Sequence, residues 1–90
     1  MTKEQVRKKL LKVLSENTAY SEEKIAKFID YSEDTELRLA DIYISSHFNV
    51  LSQEICKEFK TLNQKDLEMT MYKESKTVEK LIKYITKKLS

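Results

Sequence analysis

Ser45, Ser46, His47 and Cys56 are the side chains here whose chemistry reaches beyond folding. Two hydroxyls, an imidazole and a thiol in one short stretch raise nucleophilic catalysis, metal ligation and covalent modification. A serine–histidine pair needs the imidazole to reach the hydroxyl, and Ser46 and His47, as neighbours on a helix, point apart. His47 and Cys56 are the only residues of their kinds. They stand too far apart along one expected helix to share an ion, and a zinc site needs three or four such ligands. Phosphate-loop and dinucleotide motifs need glycines, and the chain has none. A small helical domain also offers little concave pocket. No catalytic residue and no metal ligand set is therefore expected, and the chain reads as a non-enzyme. Modification of a serine at a helix start stays open, because free N–H groups and the positive dipole end favour a phosphate there. The plain structural role of Ser45 and Ser46 is to cap that helix.

The elements that must position these residues are helices. The chain contains neither glycine nor proline. A small sheet protein needs tight turns, and those turns want residues that tolerate positive φ. Thr2 followed by Gln5 has the form of a capping box, and Val6, Leu10, Leu11, Val13 and Leu14 make one apolar stripe behind it. That helix should fade near Asn17 and Thr18, whose side chains compete for backbone hydrogen bonds. Ser21, Glu22 and Glu23 open a shorter turn edged by Ile25, Phe28 and Ile29. From Asp30 to Ile44 the periodicity weakens, which reads as a long connection with one helical turn near Leu37 to Asp41. A second principal helix is expected from Ser45 and Ser46 to about Phe59, with Phe48, Leu51 (or Val50), Ile55 and Phe59 as its stripe. Asn63 opens a short segment containing Leu67. The last helix starts at Ser75 or Thr77 and buries Val78, Leu81, Ile82, Ile85 and Leu89. Glu79 and Lys83 on it form an i,i+4 pair. The expectation is an all-α fold: one domain over residues 1–90, a small bundle of three principal helices plus short helical turns.

Composition sets the outer bounds. The chain has 90 residues, enough for one core. Its 17 basic and 15 acidic residues leave a net charge of +2. A nucleic-acid binder concentrates basic charge more than this, so no nucleic-acid partner is expected. No apolar run approaches a membrane span, and Met1-Thr2-Lys3 opens no signal-peptide h-region. A single cysteine permits no internal disulfide. A cytoplasmic monomer is the expectation.

The stretch Asp41-Ile42-Tyr43-Ile44-Ser45-Ser46-His47 resembles the attachment loop of phosphopantetheine-dependent acyl and peptidyl carrier proteins. The usual family run is Leu-Gly-any-Asp-Ser-Leu, and some stand-alone carriers read Asp-Leu-Tyr-Ile-Asp-Ser. Against that variant Asp41, Tyr43, Ile44 and Ser46 match, Ile42 is a conservative change, and Ser45 stands in place of the Asp. Asp34-Thr35-Glu36-Leu37 resembles the loop before the family's second helix. Ser75 to Ile85 is similar to the Pro-Thr-Val-Glu opening of its last helix. The resemblance spans most of the chain and is specific only in these short runs. It departs at the missing Asp and Gly, and in a second helix that mixes Glu54 and Glu58 with Lys57 and Lys60.

The resemblance implies an all-helical carrier fold with phosphopantetheine on Ser46, or on Ser45 if the register shifts by one. A phosphopantetheinyl transferase would install the arm. Its thiol would carry an acyl or aminoacyl thioester to loading and condensing enzymes. Docking would run through the loop and second helix, at Tyr43, Ile44, His47, Val50 and Glu54. Two other readings stand beside it: a degenerate carrier acting as an adaptor without the arm, and a small helical DNA binder using Asn49, Gln53 and Lys57 of the second helix.

Overall fold

A computed structural model describes residues 1–31, 37–45 and 47–90, without the side chains of Asp30 and Tyr31. The run Tyr31 to Thr35, read as polar and turn-like, lies outside the described residues beyond Tyr31, and so does Ser46. Among the described residues there are six helices and no strand. They are α1 (Lys3–Asn17), α2 (Glu22–Tyr31), α3 (Leu39–Ile42), α4 (Asn49–Glu58), α5 (Gln64–Lys73) and α6 (Val78–Leu89). The expected all-helical bundle is what forms.

The cap chemistry sets the helix starts. Thr2 Oγ1 accepts the N–H of Gln5 at 3.2 Å, and Gln5 Oε1 accepts the N–H of Thr2 at 2.9 Å, closing the capping box. Ser21, Asn63 and Thr77 each accept the N–H three residues on, at 3.2, 3.1 and 3.2 Å. α1 stops where Asn17 turns its amide back to the carbonyl of Val13 at 2.8 Å. No described residue has positive φ, so the lack of glycine carries no conformational cost here.

The short segments run longer than their periodicity indicated. α2 and α5 have 10 residues each, as many as α4. A good cap and one or two buried residues suffice once a neighbour supplies the rest of the interface: Ile25 anchors α2, and Leu67 with Met71 anchors α5.

α1 is the hub, packing against α2, α4 and α6, while α5 leans on α4. Its Val6, Leu10 and Leu14 are fully buried among Leu51 and Ile55 of α4 and Leu81, Ile82 and Ile85 of α6. Lys3 Nζ meets Glu79 Oε1 at 3.1 Å and ties the start of α1 to the start of α6. Glu79 thus turns to another helix instead of pairing with Lys83.

The connection before α4 is stitched down at two places. Leu39 N–H donates to the carbonyl of Lys76 at 2.8 Å, and Val78 N–H donates to the carbonyl of Leu37 at 2.9 Å. Arg38 and Thr77 pair as an isolated antiparallel bridge between these bonds. Leu39 and Ile42 then drop into the core. The helical turn expected near Leu37 to Asp41 therefore exists as α3, docked on the N-terminus of α6.

Candidate functional site

α3 ends at Ile42, and α4 begins at Asn49. Tyr43 is half-buried, Ile44 is 95% exposed, and Ser45 and His47 are exposed. Phe48 turns back into the core. Its ring sits 6.0 Å from that of Tyr43. The two aromatics thus close the base of the excursion, with Ile44, Ser45 and His47 outside it.

The expectation that α4 starts at Ser45 and Ser46 is corrected. The helix starts at Asn49 with Phe48 as its N-cap residue. Two bonds explain the shift. Ser45 Oγ accepts the N–H of His47 at 3.1 Å, a local turn that competes with helix. Phe48 N–H donates to the hydroxyl of Tyr72 on α5 at 2.7 Å, with the rings 5.0 Å apart. Ser45 is therefore not the helix cap. Ser46, the preferred attachment residue, lies outside the described residues.

Among the described residues α4 is unlike α1, α2, α5 and α6 in two respects: no side chain caps it, and no acidic residue occupies its first turn. Among the described residues, no carboxylate of its own first turn offsets the positive dipole at its N-terminal end. Ser52 follows inside, fully buried, its hydroxyl bonded to the carbonyl of Asn49 at 2.8 Å.

The remaining expected docking residues occupy the outer face of α4. Val50 is 50% exposed. Glu54 is engaged by Lys57, Oε1 to Nζ at 2.9 Å. The structure thus groups Tyr43, Ile44 and His47 at the mouth of α4, with Val50 in its first turn and Glu54 one turn further along.

Below the loop, Asp41 accepts from Arg38 through the backbone N–H at 3.2 Å and the guanidinium at 3.1 Å. This holds the Asp41 carboxyl below its ordinary value, mainly through the side-chain hydrogen bond from Arg38. Cys56 is half-buried on the far part of α4, and burial pushes its thiol pKa up. A raised thiol holds less of the nucleophilic thiolate at neutral pH. Among the described residues no cluster of three or more His, Cys, Asp or Glu side chains could hold a metal ion. No described helix is long and apolar enough to cross a membrane.

Tyr72 is the residue that sequence reasoning did not bring to this site. Its position on α5 marks it only as one of several scattered tyrosines, and nothing local indicates that its hydroxyl reaches Phe48. No protein-family profile matches the chain, and neither does any curated protein or solved structure.

Proposed function

We propose that this protein is an acyl or aminoacyl carrier whose arm is attached at the Ser45–Ser46 pair, at Ser46 in the preferred register. The observation that carries the reading is the mouth of α4. Exposed Ile44, Ser45 and His47 precede a helix tip that has neither a side-chain cap nor a first-turn carboxylate among the described residues. Such a tip accommodates a phosphodiester without carboxylate repulsion.

In the reaction proposed, the serine hydroxyl attacks the pyrophosphate of coenzyme A in the active site of a separate transferase. A serine phosphodiester forms, adenosine bisphosphate leaves, and the hydroxyl proton passes to a base of the transferase. The phosphopantetheine thiol then supplies thioester chemistry, while this chain supplies the serine, the helix tip and the docking surface. Exposed Ile44 and Val50, with His47 between them in sequence, offer partners an apolar anchor.

The full-length chain incubated with coenzyme A and a broad-range transferase should gain the mass of one phosphopantetheine group. Ser46→Ala should abolish the gain and Ser45→Ala should retain it; the opposite pattern moves the arm to Ser45. An unchanged mass in both the native chain and Ser45→Ala rejects the carrier reading.

A second reading rests on the exposure of Ile44 and Val50 alone. An adaptor of the same fold would use this apolar edge to hold a partner and carry no arm. It predicts no gain in mass.

A further inference from the structure

The bond between Tyr72 and Phe48 has a use beyond packing. Phe48 is the N-cap residue of α4, and its side chain gives the helix no cap. What holds its backbone is an atom from another helix, the Tyr72 hydroxyl at 2.7 Å. The ring of Tyr72 lies 5.0 Å from that of Phe48, and Phe48 lies 6.0 Å from Tyr43. The aromatic row Tyr43, Phe48, Tyr72 therefore closes the base of the excursion and fastens it to α5. Tyr72 is itself 40% exposed, so it is not a buried core residue whose loss would collapse the bundle.

We infer that Tyr72 is a positioning residue: it sets the angle at which the stretch bearing Ile44, Ser45 and His47 leaves α4, and thereby how readily a transferase engages it. The inference rests on the carrier reading above. A capped helix fixes its own entry through local side chains. Here the entry depends on a tertiary hydrogen bond, so presentation of the loop and docking of α5 onto α4 are one event.

Two variants test this in the intact protein. Tyr72→Phe deletes the hydroxyl and keeps the ring; Tyr72→Leu deletes both. Steady-state transfer from coenzyme A by a broad-range transferase is measured against concentration of the carrier. One lost hydrogen bond predicts a KM for Tyr72→Phe raised about three- to tenfold. A positioning role further predicts kcat held within about twofold, because the reacting atoms are untouched. Amide exchange at Phe48 should accelerate by a comparable factor while the amides of Ile55 to Glu58 keep their protection. Tyr72→Leu should raise KM further. An unchanged KM in Tyr72→Phe, with native protein loading normally, overturns the inference alone. A native protein that gains no mass overturns the carrier reading and this inference together, and the mass spectrum of the native chain distinguishes the two failures.

Discussion

The N–H of Leu39 donates to the carbonyl of Lys76 at 2.8 Å, joining the long connection to the entry of the last helix. Neither residue lies in a regular sheet, yet the bond repeats in the reverse sense from Val78 to Leu37. The described part of the connection, residues 37–42, is thus part of the folded body, fixed by backbone bonds at Leu37 and Leu39 and by Leu39 and Ile42 in the core. The mouth of α4 inherits its position from that anchorage.

Leu39→Ala tests the anchorage. Leu39 is fully buried, so truncation leaves a cavity and should cost about 2–5 kcal/mol in urea-induced unfolding. A connection that merely lay on the surface would lose less than about 0.5 kcal/mol. Arm transfer should suffer in the same variant, at temperatures where it stays folded, because α3 holds the near end of the exposed excursion.

Caps and non-caps should separate cleanly. Thr77 accepts the N–H of Lys80 and is itself buried, so Thr77→Ala should destabilise by about 1 kcal/mol. Among the described residues exposed Ser45 accepts the N–H of His47 and no helix N–H, so Ser45→Ala should stay within about 0.5 kcal/mol of the native protein. Thermal unfolding of both variants measures the difference. Equal losses would mean that Ser45 caps α4 after all.

Asp41 offers a dependence on pH. Its carboxyl is held below the ordinary value of 3.8 by the hydrogen bond from Arg38. The folded state therefore favours the ionised form, and the stabilisation is present at neutral pH and disappears as pH falls through and below that value. The pair is largely exposed, so Asp41→Asn should cost about 0.5 kcal/mol or less at pH 7. Melting temperatures of the two proteins should converge in acid. A gap that widens on acidification would contradict the assignment.

Cys56 should be a slow thiol. Burial raises its pKa, so less thiolate is present at a given pH than in a free cysteine. Alkylation of the native protein by iodoacetamide should run slower than that of a small-molecule thiol in the same buffer, and the gap should narrow as pH rises. Unfolding in urea should remove the difference. Faster reaction in the native state would show an activated thiol and reopen a chemical role for Cys56.

Much of the bundle was legible in the chain by itself. Thr2 with Gln5, Asn63 and Thr77 announce helix starts because a side-chain oxygen satisfies an N–H three residues on, a bond that needs no tertiary partner. Val6, Leu10 and Leu14, and Val78, Leu81, Ile82 and Ile85, declare their buried faces by spacing alone. The absence of glycine matches described helix ends that carry no left-handed residue. What only the tertiary structure decided is where α4 begins and which residue holds it. Two serines looked like a cap, because local chemistry is all that a linear reading weighs. The start falls at Asn49, where the ring of Phe48 is buried in the core and its N–H finds a hydroxyl on α5, partners brought together only by the fold. The same holds for Glu79, whose near neighbour Lys83 lost to Lys3 across the bundle.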